Sequence, residues 1–376
     1  MKIVLDATVF EEPITGIAKL TLFLYRECVR MMPSLQIVGL HRRPLKLNIN
    51  PPIEPVKIGG FLPHNMWRMF LLSPAMRFHP STAVHFPWNG GIPRLSRKES
   101  VITTLHDVLP LTIPDFFQSD DGIIKYRNKI QTDFSRTHLL ITDSEFSRKE
   151  ISKHFVVKDE PVVISPGCTL EVNDAEHKTA QKPEGEYFLY VGGYDRRKGL
   201  EQLLKIHFSL HREKKISGKL ILTGSPNYFS TTFERMVKDG ILRGLVEEKG
   251  YVSDAALVEL YLHAKALVYP SKYEGFGLPA LEAMTLGCPV LTTKCTSLPE
   301  VCGGAACYID PDNELEFARA LVEVERNDGF RSELSHKGRQ QSLKFTWEKS
   351  ARAFLQAVEE MLRVRDGKRG KGNPHD

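Results

Sequence analysis

Apolar residues in this sequence fall into two kinds of pattern. Short apolar runs of four or five residues predict buried strands, and stretches with an apolar residue every three or four positions predict helices. In the first half, strands are predicted at residues 2–5, 36–40, 83–86, 101–105, 139–142 and 162–164, and helices at 17–31 and 146–154, the latter with Asp143 and Ser144 as N-cap pair. Strands that alternate with helices predict a mostly parallel sheet covered by helices.

The same alternation starts again after a polar stretch at residues 168–185, which lacks periodicity and is interpreted as a linker. Strands are then predicted at residues 187–191, 219–222, 266–269 and 289–292, and helices at 200–210, 254–263, 278–286, 313–325 and 347–363. Two successive halves of this kind predict an α/β fold with two doubly wound, Rossmann-like domains and a cleft between them.

The composition is that of a folded protein with a basic first half. The chain has 376 residues, of which 41% are hydrophobic and 26% charged, and no apolar run approaches the roughly 18 residues that a membrane span needs. The N-terminus is interpreted as a strand and not as a secretory signal, so we expect a cytoplasmic protein. The first 170 residues hold 21 basic and 16 acidic side chains, and the tail is also basic. This charge favours an anionic partner: a membrane surface, a phosphorylated lipid or nucleic acid.

Disulfides and a bound metal are not expected. The six cysteines include no CxxC pair. Free thiols are therefore expected, and the cysteines lack the spacing that is usual for zinc ligands. Asp120 and Asp121 are interpreted as a helix start, and no DxD-type metal motif appears at a position where it would matter. A metal cofactor is therefore not predicted.

The segment Tyr273–Met284 is the strongest chemical signal in the sequence. Gly275 and Gly277 permit a close approach of the backbone to a ligand, and the helix that follows offers N–H groups and a positive dipole end to a phosphate. Glu274 and Glu282 can accept hydrogen bonds from sugar hydroxyls. A plain turn with two solvated glutamates is the alternative interpretation.

This segment and several others resemble the retaining glycosyltransferase family 4, whose members have the GT-B fold and use nucleotide sugars. The longest match is Glu-Gly-Phe-Gly-Leu-Pro-x-Leu-Glu-Ala-Met, and further matches follow in order at residues 14–17, 106–108, 142–147, 190–193, 197–199 and 250–252. The resemblance implies an acceptor-binding domain at 1–170 and a nucleotide-sugar-binding domain at 171–346. It also implies that residues 347–376 form a helix that crosses back to the first domain and a basic tail.

The resemblance also assigns roles to individual residues. Lys198 and Arg197 would neutralise the diphosphate leaving group, Glu274 would bind hydroxyls of the donor sugar, and Glu282 would bind the ribose. Main-chain contacts to the base or phosphates are implied for Gly16, Tyr251, Val252, Phe276, Gly277 and Leu278. Many family members carry an arginine where this chain has Gly193, so one phosphate contact is either lost or supplied by Arg197.

His106 and Asp107 follow a predicted strand at its carboxyl end, where open α/β sheets bind ligands. In the family this histidine lies near the donor sugar and is not a metal ligand. An inverting enzyme would need a general base here, and His106 or Asp107 would be the candidate. The resemblance implies retention instead, in which the departing phosphate helps to deprotonate the acceptor. We therefore predict catalytic roles for His106, Asp107, Lys198 and Glu274.

The expected function is transfer of a hexose, with GDP-mannose as the preferred sugar donor, to a glycan or lipid-linked saccharide, as in bacterial surface polysaccharide synthesis. A UDP-sugar enzyme and a non-catalytic nucleotide-sugar-binding protein are the alternatives. No cofactor is expected besides the donor substrate. The absence of a nucleic-acid reader motif and of GxGxxG after the first strand argues against nucleic-acid binding and against a dehydrogenase.

Contact with an anionic membrane is a further prediction. Residues 66–78 are apolar, aromatic and flanked by arginines, and the tail holds five basic residues between Arg363 and Lys371. A buried helix and a solvated tail are the alternative interpretations of these two segments.

Overall fold

The computed structural model describes residues 1–11, 16–60, 62–79, 81–88, 91–93, 99–113, 120–171, 184–226 and 228–369. These residues divide into two compact units. The first comprises Met1–Gly167 together with the chain from Thr346 onward, and the second comprises Cys168–Phe345.

The first unit contains a parallel sheet in the order β3-β2-β1-β4-β5-β6-β7. Its central strands are buried along nearly their whole length, as is typical of a parallel sheet whose two faces are covered. The strands are β1 Lys2–Asp6, β2 Gln36–His41, β3 Glu54–Lys57, β4 Ala83–Phe86, β5 Val101–Thr104, β6 Leu139–Thr142 and β7 Val162–Val163.

The helices of this unit in the N-terminal part of the chain are α1 Gly16–Met31, α2 His64–Trp67, α3 Ser73–Phe78, α4 Leu109–Thr112, α5 Asp120–Phe134 and α6 Glu145–His154. A π-helical turn, Arg68–Leu72, joins α2 to α3, and a 3₁₀ turn, Ala7–Phe10, follows β1. The last helix of the chain, α14 Trp347–Arg369, packs on α1 through an edge-to-face contact of Phe354 with Tyr25 and a stacked pair of Trp347 with Phe23.

The second unit contains a parallel sheet in the order β10-β9-β8-β11-β12-β13. Its strands are β8 Tyr187–Val191, β9 Lys219–Thr223, β10 Val246–Gly250, β11 Ala266–Tyr269, β12 Val290–Thr293 and β13 Cys307–Ile309. Its helices are α7 Leu200–Arg212, α8 Thr231–Leu242, α9 Asp254–His263, α10 Leu278–Leu286, α11 Leu298–Cys302, α12 Glu314–Arg326 and α13 Asp328–Ser342, with a 3₁₀ turn at Arg196–Lys198.

The predicted fold class is confirmed at the level of each unit, since every strand pair in the described residues is parallel and helices lie between most consecutive strands. In both sheets the strand order reverses beside the first strand of the unit. At such a switch point the loops at the carboxyl ends of two neighbouring strands diverge and leave a crevice for a ligand.

Candidate active site

In the second unit, the switch point lies between β8 and β11, which are hydrogen-bonded neighbours. The loop after β8 contains the 3₁₀ turn Arg196–Lys198, and the loop after β11 leads through Pro270 to Glu274. The backbone N–H of Lys272 donates to the carbonyl of Arg197 at 2.7 Å, which ties the two loops together. Arg197 and Lys198 therefore lie close to Glu274 at the carboxyl edge of the sheet, although more than 70 residues separate them in sequence.

Lys198, Tyr269 and Glu274 form a buried hydrogen-bonded cluster at this edge. Nζ of Lys198 lies 2.5 Å from Oε1 of Glu274 and 2.8 Å from the hydroxyl of Tyr269. The Tyr269 hydroxyl in turn donates to the same carboxylate oxygen at 2.6 Å. Only about a tenth of the Lys198 and Glu274 side chains is exposed, so the ion pair is largely shielded from solvent.

Arg197 lies at the rim of this cluster. Its guanidinium donates to the carbonyl of Tyr273 at 2.7 Å, and lies 3.4 Å from Oε1 of Glu274 and 3.1 Å from Oδ1 of Asp195. Two cations therefore approach the Glu274 carboxylate, and the half-exposed Asp195 carboxylate pairs with the outer one, Arg197.

Burial opposes charge on both partners of the central ion pair. Burial lowers the pKa of Lys198, and the nearby Glu274 carboxylate only partly offsets this. Burial alone would raise the pKa of Glu274, but Lys198 and Arg197 more than compensate and hold this pKa below its ordinary value. Glu274 is therefore a carboxylate at neutral pH.

The loop after Glu274 is fixed by two hydroxyl side chains. The Ser297 hydroxyl lies 2.9 Å from the carbonyl of Glu274 and 2.8 Å from that of Phe276, and Thr296 Oγ1 accepts from the backbone N–H of Glu274 at 3.0 Å. Gly277 then adopts a φ of 105°, and a Cβ atom there would lie 2.8 Å from Cδ2 of Leu298. Only glycine suits this conformation and this close approach.

Helix α10 begins directly after Gly277, with Pro279 in its first turn. The first N–H groups of a helix have no partner within the helix, and its dipole places partial positive charge at the same end. The backbone of residues 276–278 can therefore bind an anion. This segment follows Glu274 of the Lys198 cluster by two residues in the chain.

Glu282 lies one turn into α10 and is buried. Its Oε1 accepts from the Thr169 hydroxyl at 2.6 Å, and its Oε2 accepts from the Tyr261 hydroxyl at 3.2 Å. The side chain is consequently held in one orientation by residues from two other segments of the same unit.

Glycines at the carboxyl ends of β8, β9 and β10 lie close to one another. The N–H of Gly192 donates to the carbonyl of Thr223, and the N–H of Gly224 donates to the carbonyl of Gly250. A Cβ on Gly224 would lie 2.2 Å from the carbonyl oxygen of Gly192, so no side chain fits there. Tyr251 follows Gly250 and is 66% exposed, while Val252 is half-buried.

In the first unit, His106 is buried at the carboxyl end of β5. Its Nδ1 lies 2.7 Å from Oδ2 of Asp143, which follows β6, and its Nε2 lies 3.3 Å from the carbonyl of Pro87, which follows β4. Asp107 has a different partner, because its Oδ1 accepts from the backbone N–H of Leu109 at 3.1 Å. The neighbouring carboxylate in sequence is thus not the one that orients His106.

Of the predicted cap pair, Ser144 accepts from the N–H of Ser147 and caps α6, whereas Asp143 bonds to His106. Gly16 is exposed at the first residue of α1. The loop predicted before it, residues 12–15, lies outside the described residues.

The structure therefore brings Arg197, Lys198 and Glu274 together, with α10 adjacent to them. His106, Asp107 and Gly16 belong to the other unit. Sequence reasoning did not identify Tyr269, Ser297, Thr169 and Tyr261, which hold the glutamates, nor the contact of Asp143 with His106. The position of Tyr269 and Asp143 at the carboxyl ends of predicted strands was the available signal.

Within the described residues, no group of three or more histidine, cysteine, aspartate or glutamate side chains is arranged to hold a metal ion. In the same part of the chain, no helix combines the length and the apolar character that a membrane crossing requires.

Comparison with known proteins identifies related sequences and folds. Residues 172–341 match the family model described as glycosyl transferases group 1. O-antigen chain mannosyltransferase B of Escherichia coli is 32% identical over 262 residues, which cover 67% of this chain and 68% of that protein. Serotype-specific mannosyltransferase WbdA of Escherichia coli is 26% identical over 273 residues, 69% of this chain but only 33% of that longer protein.

Solved structures share the fold at low sequence identity. Sucrose-phosphate synthase from Thermosynechococcus elongatus superposes with a TM-score of 0.77 at 17% identity, covering 96% of this chain and 99% of that one.

Proposed function

Because this chain belongs to the glycosyl transferases group 1 family and its Rossmann-like domains match GT-B glycosyltransferase structures, we propose that it transfers mannose from GDP-mannose to a saccharide acceptor. The sugar is proposed from the mannosyltransferase relatives. A glycan or lipid-linked saccharide of bacterial surface polysaccharide synthesis is the proposed acceptor, because the first of these relatives acts on an O-antigen chain.

The main support for this proposal is the cluster of Arg197, Lys198 and Glu274 beside the N-terminus of α10. A diphosphate leaving group needs positive charge that is fixed before the reaction, and two cations and a helix dipole supply it here. A carboxylate within the same cluster accepts hydrogen bonds from sugar hydroxyls. The buried Glu282 is the proposed partner of the ribose hydroxyls, and the backbone at Tyr251 and Val252 is the proposed contact of the base.

We propose retention of configuration at the sugar, without a metal ion. Arg197 and Lys198 stabilise the negative charge that develops on the departing diphosphate, and a phosphate oxygen of that group takes the proton of the acceptor hydroxyl. In this step the bond from the sugar to the phosphate breaks and the bond from the sugar to the acceptor oxygen forms. The proton of the acceptor hydroxyl leaves with the nucleotide diphosphate.

Peripheral contact with an anionic membrane from the cytoplasmic side is also proposed. Met66 and Phe70, one helical turn apart, are 43% and 54% exposed, whereas Trp67, Leu72 and Met76 of the same segment are buried. The predicted membrane segment thus has a buried face and an exposed apolar face. Vesicle sedimentation should show salt-sensitive binding that a Met66→Ser/Phe70→Ser variant weakens, and equal binding of both proteins would refute this contact.

A nucleotide panel tests the proposed function. GDP, UDP, ADP and their sugar conjugates are each added to the full chain, and the melting temperature is measured. A ligand that binds only the folded state adds about 2.7 kcal/mol of stability at roughly 100 times its Kd. We expect GDP and GDP-mannose to stabilise the protein, and we expect the Glu282→Gln variant to lose much of this shift.

The exposed Glu323→Gln substitution, on α12 of the same unit, is the matched control and should retain the full shift. Preference for UDP and its sugars would overturn the proposed sugar donor but would not affect the assignment to the family. No response to any nucleotide, followed by no release of GDP from GDP-mannose, would overturn the proposed function.

A further inference from the structure

His106 lies between two oxygen atoms, which belong to residues that directly follow the two neighbouring strands. Sheet order places β5 between β4 and β6, so the residues that follow these strands lie side by side. Nδ1 of His106 lies 2.7 Å from Oδ2 of Asp143, and Nε2 lies 3.3 Å from the carbonyl oxygen of Pro87. Each ring nitrogen therefore has an oxygen partner.

The chemistry of these partners determines which ring atoms carry protons. A backbone carbonyl only accepts a hydrogen bond, so Nε2 must donate to Pro87. An ionised carboxylate also only accepts, so Nδ1 must donate to Asp143. A proton shared by the pair belongs on imidazole, because its ordinary pKa of about 6.5 exceeds the value of about 3.9 for aspartate. A ring that donates from both nitrogens is an imidazolium.

A second buried histidine, His85, does not compete with His106 for the positive charge. His85 on β4 is buried, with its Nδ1 2.7 Å from the Tyr25 hydroxyl of α1 and its Nε2 2.9 Å from the Thr104 hydroxyl of β5. Burial and the charge of His106 lower the pKa of His85 to about 3, so it stays neutral. Asp107, beside His106 in sequence, adds a second nearby negative charge.

From this geometry we infer that Asp143 is a positioning residue that holds His106 as an imidazolium, so that His106 serves as a fixed hydrogen-bond donor to a substrate oxygen and not as a general base. The part that concerns the reaction rests on the proposed function. The protonation state of His106 is a property of the protein without substrate.

Electrostatics and the proposed mechanism both support the inference beyond the hydrogen bonds themselves. Burial favours the neutral ring, yet Asp143, together with smaller effects of the Pro87 carbonyl and of Asp107, more than offsets this and raises the pKa of His106 above its ordinary value. An imidazolium cannot accept a proton, which fits a mechanism in which the departing phosphate takes the acceptor proton. The proton on Nε2 is the one available to a substrate oxygen that displaces the carbonyl of Pro87.

Histidine-detected NMR on the full chain without ligand tests the protonation state. The His106 signal is identified by its loss in a His106→Gln variant, and its titration is followed in wild type, Asp143→Asn and Asp143→Glu. We expect a pKa above about 6.5 in wild type, a fall of at least about one unit in Asp143→Asn, and recovery in Asp143→Glu. Asp121→Asn, which removes an exposed carboxylate on α5, is the control and should leave the titration unchanged.

A wild-type pKa at or below about 6.5 would overturn the inference even if the Asp143 variants failed to fold. An unchanged His106 titration in a folded Asp143→Asn protein would overturn the role of Asp143.

The pH dependence of transfer then tests the role in the reaction. If the imidazolium is the active form, kcat/KM falls as pH rises through the pKa of His106, and Asp143→Asn shifts this fall to lower pH. A general base would give the opposite sign, with kcat/KM rising through that pKa, and would refute the inference while the proposed function stood. Absence of any transfer by wild type would refute the function but would leave the NMR result to decide the protonation state.

Discussion

Nζ of Lys198 and Oε1 of Glu274 lie 2.5 Å apart at the carboxyl edge of the second sheet, where both side chains are buried. A buried ion pair is costly to break from one side, because the remaining charge is left without a partner. Glu274 therefore keeps the Lys198 ammonium charged and in place when no substrate is bound. If a diphosphate binds here as proposed, it competes with Glu274 for this ammonium, and the carboxylate becomes available to hydroxyl groups.

Replacing Lys198 by methionine should remove most of the transfer activity. Removal of one preorganised hydrogen-bond donor from a developing anion costs about 10²–10³-fold in kcat in a protease, and we expect a loss of at least this size here. Steady-state release of nucleotide from the donor sugar would measure it, with melting temperatures to verify folding. Lys272→Met breaks an exposed ion pair with Asp312 in the same loop region and should retain activity. Equal activity of the two variants would contradict the role of Lys198.

Stability should fall in mild acid because two buried histidines resist protonation. Burial lowers the pKa of His85 to about 3 and that of His207 to about 4. Below about pH 6.5 the unfolded chain takes up protons at these positions that the folded chain does not, so each costs about 1.4 kcal/mol per pH unit until its folded pKa is reached. The raised pKa of His106 acts in the opposite direction, stabilising the fold at low pH and losing this effect as pH rises through that pKa.

Urea unfolding between about pH 7.5 and about pH 4.5 measures this acid loss. His207→Gln should reduce the slope, whereas His336→Gln at an exposed position should leave it unchanged. A wild-type stability that is constant over this range would contradict the prediction.

The sequence pattern predicted most central strands because parallel strands covered on both faces need uninterrupted apolar runs. Leu139–Thr142, Tyr187–Val191 and Ala266–Tyr269 were predicted with their observed bounds. The strand Val246–Gly250 was missed because its sequence, Val-Glu-Glu-Lys-Gly, is mostly charged. It lies at one end of the strand order, so solvated side chains are tolerated there and only hydrogen bonding to β9 identifies it as a strand.

For the candidate site, motifs predicted Lys198 and Glu274, and the structure shows that they are in contact. The partners of His106 and Glu282 could not be predicted in this way. Asp143 is 37 residues from His106 and Thr169 is 113 residues from Glu282, so only the order of strands in the sheet and the packing of the linker bring them together. The motif predicted catalytic roles for both His106 and Asp107, but the side chain of Asp107 accepts from the backbone of Leu109.

Gly199 should be intolerant of a side chain for a reason that can be separated from its backbone conformation. Its φ is 70°, and a Cβ atom would lie 2.3 Å from the carbonyl oxygen of Pro270. Gly244 has a φ of 71° with no heavy atom within 4 Å of such a Cβ, so Gly244→Ala isolates the cost of the left-handed conformation, about 1–2 kcal/mol. Gly199→Ala should cost more in urea unfolding and should also reduce activity, because it moves Pro270 next to Lys198. Equal losses for the two variants would contradict this contact.

Tyr261→Phe should weaken binding of the sugar donor with little effect on the chemical step. The hydroxyl of Tyr261 donates to Oε2 of Glu282 at 3.2 Å, and a hydrogen bond to a charged acceptor contributes about 1.5–3 kcal/mol. If Glu282 binds the ribose equally in the ground and transition states, KM rises roughly tenfold or more while kcat is retained. Tyr187→Phe is the matched control, since its hydroxyl donates at 2.9 Å to the carbonyl of Leu260 and not to Glu282. A fall in kcat at constant KM would instead place Glu282 in direct support of the reaction, because only an interaction made in the transition state alone lowers kcat without changing KM.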